Sequence, residues 1–396
     1  MQARLSNNEF IALIAVLFAT IAISIDAMLP ALPEIAASLS PQAPNRAQLV
    51  ITSFVFGMGL GTLFAGPLSD AFGRKPVIIG GAVIYALGAL ACWAANSLEM
   101  LLIARVVQGL GSAGPRAVSV ALVRDLFSGR EMARIMSFAM MIFTLVPAVA
   151  PMMGQGIIAV AGWHAIFLAY VLFAVVASGW LALRQPETLP VEKRRPLALG
   201  HLARGVAEIF GHRIVAISVL CQMLTLGMLF STLSSMQGIF DQRFHQGDNF
   251  PFWFAGIALA SMTGSFVNAR VVMRVGMRAV VVATYGYMVV LTALILGLIL
   301  SGLMPETLAF PAHLLWSVGL FAMMGLTMGN LNALAMEPVG HVAGLASSVI
   351  SAIATVAAVV LAVPVGQMLD GTPVPLMSAV LVFAALSLGL MQLARR

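Results

Sequence analysis

Two charged side chains stand where a hydrocarbon solvent rejects charge, and their types, a carboxylate and a guanidinium, are suited to passing a proton. Asp26 lies in the apolar stretch ISIDAMLPALPEI and Arg105 in IARVVQGLGSAG. A carboxylate at the centre of a membrane helix costs about 2.5 to 3.5 kcal/mol on insertion scales, so an intramembrane acid is retained for a reason. With its helix starting inside, Asp26 stands about 22 Å up, roughly 8 Å below the outer surface. Arg105, on a helix running the other way, lies roughly 9 Å from that helix's outer end. At like depth, opposite charges lower each other's cost of burial, and the acid takes or releases a proton as the guanidinium moves toward it or away. The spacing predicts an Asp26–Arg105 pair that couples a proton to movement. A fixed structural ion pair is the plainer alternative.

Gln108, Gly109, Ser112, Arg116 and Ser119 follow Arg105 at helical spacing and share its face, which must line water or a partner helix. Gln108 and Ser112 are the candidates there for contact with a small-molecule substrate, whereas Arg116 is close enough to the inner end to snorkel to the surface. A looser polar stripe, Gln222, Thr225, Thr232 and Ser235, with Asn330 and Asn332 further on, supplies candidates in the second half of the chain. Met28, Met141 and Met223 are candidates for a soft, adaptable cavity wall. There is no HExxH segment and no intramembrane Asp pair, and the six histidines are scattered. No metal, cofactor or enzymatic constellation is expected. Cys92 and Cys221 each lie inside an apolar run and suggest packing rather than a disulfide.

The elements that position these residues follow from composition. Of the 396 residues, 61% are hydrophobic and 9% charged, against roughly 25% charged in a soluble domain. Twelve apolar runs recur, near 9–33, 47–68, 76–95, 98–123, 132–158, 162–183, 213–236, 250–271, 279–301, 311–335, 342–366 and 375–393. Each is long enough to cross a bilayer as a helix. With the N-terminus inside, only Arg46 and Arg243 of the 21 basic residues fall outside, while Arg105 and Arg116 lie within a helix. That asymmetry places both termini in the cytoplasm and explains the +6 charge by topology, without nucleic acid. The charged segment RQPETLPVEKRRP divides six runs from six. The fold class is therefore all-α integral membrane, with twelve transmembrane helices in two pseudo-symmetric bundles, 1–184 and 213–396, joined by a cytoplasmic linker at 185–212. The sequence GPLSDAFGRKPVI after the second run has a faint echo in MRVGMRAVV, with Gly73 opposite Gly276 and Lys75 opposite Arg278. Two such halves with a site between them at mid-membrane is a common plan for secondary transporters.

GPLSDAFGRKP resembles the loop motif between helices 2 and 3 of the major facilitator superfamily, and IARVVQGLGSAG resembles its helix 4 motif. SIDAMLPALPEI, MSFAMMIFTLVPAVAPMMG and EPVGHVAGLASSVISA are similar to segments of the Bcr/CflA family of bacterial drug:proton antiporters. The resemblance implies export of drug-like molecules or metabolites across the bacterial inner membrane, by a chain active as a monomer among membrane lipids and driven by protons. Asp26 would be the protonation site and Arg105 its modulator. It also implies an inner gate of Asp70, Gly73, Arg74, Lys75 and Asp125, with Arg74 near Asp125 and Asp70 near the start of helix 11. Pro147, Pro151 and Gly154 match the antiporter motif of helix 5, although Ala150 and Gln155 stand where that motif has glycines. Met273 replaces the motif acid in the second-half echo, so no matching gate is expected there.

Overall fold

The computed structural model describes residues 5–194 and 211–394, apart from the side chains of residues 133 and 340–343. The middle of the expected linker therefore lies outside the described residues. All twelve expected crossings are present among those described. They form two compact units, one for each half of the chain.

The first unit holds α1 (Asn7–Asp26), α2 (Leu32–Leu39), α3 (Leu49–Phe72), α4 (Arg74–Trp93), α5 (Leu98–Leu126), α6 (Gly129–Ala161) and α7 (Ala165–Arg184). The second holds α8 (Arg213–Gln242), α9 (Phe250–Val275), α10 (Met277–Leu300), α11 (Glu306–Met336), α12 (Ala343–Gln367) and α13 (Val374–Leu393). Each unit has its own apolar core, one built around Phe10, Leu13, Ile78 and Leu122, the other around Tyr285, Trp316, Met323 and Met377. Their outer faces are as apolar as their cores. Leu168, Leu172, Val175 and Val176 stand out from α7 at helical spacing, which is what contact with lipid tails demands.

One expectation is corrected. The first crossing, read as a continuous helix, is two helices joined by a 3₁₀ turn at Leu29–Ala31. The prolines cause the break: Pro30 has no N–H to offer the Asp26 carbonyl, and Pro33 has none for that of Leu29. The Met28 N–H bonds to the Ile25 carbonyl at 3.3 Å instead of closing the α-turn onto Ser24.

The two units repeat the same internal ties, which gives the faint sequence echo a physical form. In the first, the Ser24 and Tyr85 hydroxyls share a 2.6 Å hydrogen bond; in the second, Thr225 and Tyr285 do the same at 2.6 Å. Arg46 pairs with Glu99 at 2.8 Å, and Arg243 with Glu306 at 2.8 Å, each glutamate at the start of the fourth membrane crossing of its unit. Lys75 donates to the Ala182 carbonyl, capping the end of α7; its counterpart Arg278 donates to those of Met391 and Ala394, capping α13.

Glycine lets α3 and α5 pack backbone to backbone. A Cβ on Gly109 of α5 would lie 2.1 Å from the Phe54 carbonyl oxygen of α3, and one on Gly57 equally close to that of Val106. Overpacking of this kind costs about 1 to 3 kcal/mol. Gly109→Ala is therefore expected to lower the melting temperature in detergent, whereas Gly80→Ala, which meets nothing within 4 Å, is expected to leave it unchanged or raise it. Equal melting of the two variants would contradict this packing.

Candidate functional site

The break in α1 creates the site. Once its helical donor is lost, the Ser24 carbonyl takes Arg105 Nη2 at 3.0 Å and the Tyr170 hydroxyl at 3.4 Å. Arg105 Nε donates to the Val50 carbonyl at 3.0 Å, and Nη1 to Gln108 Oε1 at 2.8 Å. Its guanidinium lies 4.4 Å from the centre of the Phe54 ring. One fully buried cation from α5 thus ties α1, α3 and its own helix together and stacks on an aromatic face. Ser24 Oγ donates to the Thr20 carbonyl at 2.5 Å, so Tyr85 is the donor in the Ser24–Tyr85 bond.

Asp26 closes α1, two residues beyond this carbonyl, and is 5% exposed. The expected Asp26–Arg105 ion pair is not made: the ion pairs among the described residues do not include it, and Arg105 spends its donors on carbonyls and an amide. The reason is the break, which presents a free carbonyl to the guanidinium. No hydrogen-bond or ion-pair partner for the Asp26 carboxyl is found among the described residues. Gly154 of α6 completes the setting. A Cβ there would lie 2.0 Å from the Ala27 carbonyl oxygen, so this glycine lets α6 pack directly onto the backbone beside Asp26. Pro151 and Pro147 lie one and two turns before it inside the same helix.

The other expected contact residues are dispersed. Gln108 and Ser112 are fully buried, with Ser112 Oγ donating to the Gly109 carbonyl at 2.7 Å. Met28 is also fully buried, a correction to its expected place on a cavity wall, because the unwound turn packs it inward. Met141 is exposed on α6 and Arg116 is exposed on α5. In the second unit, Gln222 and Thr225 are buried and Met223 half-buried on α8. Thr225 is bonded to Tyr285, and Gln222 Nε2 has no partner among the described residues. Asn330 of α11 donates to Asn268 Oδ1 of α9 at 2.8 Å, a helix-to-helix tie, while Asn332 is exposed.

The expected gate residues do meet within the first unit. Gly73, at φ 106°, ends α3 in a conformation that L side chains rarely adopt and turns the chain into α4. Arg74 Nε donates to Asp125 Oδ2 at 2.9 Å, and Nη1 to Asp70 Oδ1 at 2.5 Å and Ser69 Oγ at 2.7 Å. Lys75 differs from expectation, since its ammonium caps α7 rather than joining these carboxylates. In the second unit Met273 is 88% exposed where the acid would stand.

Sequence reasoning missed Tyr85, Tyr170 and Glu187. The tyrosines carried a usable signal: the chain has four, and Tyr85, Tyr170 and Tyr285 are fully buried among hydrogen-bond partners. Glu187, after α7, accepts the backbone N–H groups of Arg74 and Lys75 at 3.0 Å each.

With this geometry in place, comparison with known proteins is specific. The family model described as Major Facilitator Superfamily matches residues 12–363. A bicyclomycin resistance protein homolog of Haemophilus influenzae is 34% identical over 277 residues, 70% of this chain and 69% of its own. A chloramphenicol resistance protein of Pseudomonas aeruginosa is 28% identical over 332 residues, 83% of this chain and 76% of its own. Among solved structures, a D-xylose-proton symporter superposes with a TM-score of 0.75 at 14% identity, covering 96% of both chains. The human organic anion transporter MFSD10 does so at 0.68 and 19%, covering 98% of this chain and all of that one.

Proposed function

Because the chain belongs to the Major Facilitator Superfamily, we propose that it exports drug-like small molecules or metabolites from the cytoplasm in exchange for protons, by alternating access. It is a multi-pass membrane transporter, not an enzyme. The finer reading places it in the bacterial inner membrane with both termini cytoplasmic, working as a monomer. Bicyclomycin and chloramphenicol, named for the relatives, are the first substrates to try.

The observation that carries the coupling is Asp26, a buried carboxyl without a partner two residues from the carbonyl that Arg105 holds. A buried, unpaired carboxylate costs several kcal/mol, and the cost is removed in two ways, by a proton or by a guanidinium. Those two remedies are the two halves of an exchange cycle. With Asp26 protonated, Arg105 stays on Ser24 and Val50; with the proton gone, the carboxylate competes for Arg105, and the tie holding the broken helix to α3 loosens. A proton is thereby exchanged for a change of backbone contacts at the first crossing. Met141, Met223 and Asn332, the accessible members of the expected set, are the side chains assigned to substrate contact.

In inverted membrane vesicles energised to an acid interior, adding chloramphenicol or bicyclomycin is expected to release protons, seen as recovery of fluorescence from a quenched pH dye. Absence of drug-dependent release with both compounds and a panel of amino-acid-like metabolites would contradict exchange.

A further inference from the structure

Glu187 lies in the charged segment that divides the two halves and in none of the candidate-site motifs, yet its carboxylate accepts four backbone N–H groups. Two belong to the first turn of α4, Arg74 and Lys75 at 3.0 Å each; two belong to its own turn, Thr188 at 2.8 Å and Leu189 at 2.9 Å. An acid at a helix N-terminus satisfies open donors and meets the positive end of the dipole. Thr188 adds a second tie, its hydroxyl donating at 3.1 Å to Asp125 Oδ2, the same oxygen that receives Arg74 Nε. The segment after α7 is therefore fastened to the gate through Arg74 and Asp125, whose own pairing defines that gate.

Burial beyond Gln185 is partial: Pro186, Glu187, Thr188, Leu189 and Arg194 are half-buried, and Pro190–Lys193 are exposed. Polar ties without an apolar anchor are the kind that open at low cost. Any movement that separates the inner ends of α4 and α5 pulls Arg74 from Asp125 and disturbs both attachments together. Letting go would free residues 186–194, about 30 Å of chain when extended, of the connection that leads to the second unit.

We propose that Glu187 is the latch of the inner gate: it docks the start of the interdomain connection while Arg74, Asp70 and Asp125 are assembled and releases it when they part during transport. This rests on the transport reading above. Glu187 is a positioning residue and need not touch substrate.

The test places a reporter cysteine at Leu189 in the full-length protein in nanodiscs. Cys92 and Cys221 are buried, so a membrane-impermeant maleimide reads position 189. Labelling is expected to be slow in the native background and at least about tenfold faster with Glu187→Gln, the factor for losing one charge-assisted hydrogen bond. Arg74→Ala, which dismantles the gate and leaves Glu187 in place, is expected to speed labelling by a similar factor. Saturating chloramphenicol is expected to speed it in the native background only. Equal labelling with and without Glu187 would overturn the latch. Protection that survives Arg74→Ala would show a fixed staple and overturn the coupling to the gate, and so would indifference to chloramphenicol in a preparation that exchanges it for protons. If no exchange occurs, the transport reading fails, while the Arg74 and Glu187 arms still decide whether gate and latch are linked.

Discussion

Replacing Arg105 with alanine is expected to abolish transport and to destabilise the first unit by about 1 to 3 kcal/mol for each buried acceptor it leaves unpaired. The guanidinium is fully buried and serves three acceptors on two neighbouring helices and its own. Without it the Ser24 carbonyl keeps only the 3.4 Å bond from Tyr170, and Gln108, whose Nε2 lacks a partner among the described residues, keeps at Oε1 only the weak 3.9 Å bond from the Cys92 thiol. The space beneath Phe54 empties too. Removing a buried charge also relieves its desolvation, but the acceptors left behind remain in an apolar interior, and that cost decides the sign. Arg105→Lys separates fold from function. A lysine keeps the charge but has no planar fork to reach Val50, Ser24 and Gln108 together. It is expected to fold, with a modest drop in melting temperature, and to lose at least about tenfold in transport rate, the effect of one misplaced charge-assisted bond. Native-like transport by Arg105→Lys would show that the three-way tie plays no part in the cycle.

Asp26→Asn has the opposite profile. The amide has nearly the shape of the carboxyl and cannot ionise, so it removes the burial penalty and takes no proton. Stability in detergent is expected to be unchanged or higher. Proton-driven drug flux is expected to fall to that of protein-free liposomes, because the step that binds substrate no longer alternates with proton release. Drug-for-drug exchange across the same membrane needs no proton and is expected to survive within about threefold, a change below 1 kcal/mol. Loss of both activities would assign Asp26 to substrate binding rather than to coupling.

Much of this was legible in the sequence because the bilayer imposes it. A segment without about 20 apolar residues does not span, so the twelve crossings could be counted. The pairing of Arg74 with Asp125 was legible through its motif, whereas the bond from Arg74 to Asp70 within the same cluster was not. Nor was pairing at the first crossing. Counting residues gives the depth of Asp26 and Arg105 but not the direction in which each side chain points, and it cannot show that the break at Met28 frees the Ser24 carbonyl for the guanidinium. The two prolines were in view, yet both fall within the apolar run 9–33. Glu187 was unreadable for another reason. Its partners are backbone N–H groups, which every residue but proline offers, so no complementary charge in the sequence marks them. Asn330 fails likewise, since its partner Asn268 lies 62 residues away on a different helix.

The most direct test of proton-coupled export is drug flux in proteoliposomes under an imposed pH gradient, measured for the native protein and for Asp26→Asn in parallel. Flux of chloramphenicol or bicyclomycin that follows the gradient in sign and size, and collapses in the variant, is the expected result. Flux that ignores the gradient and survives the substitution would contradict coupling through Asp26 and leave a facilitator that merely equilibrates its substrate.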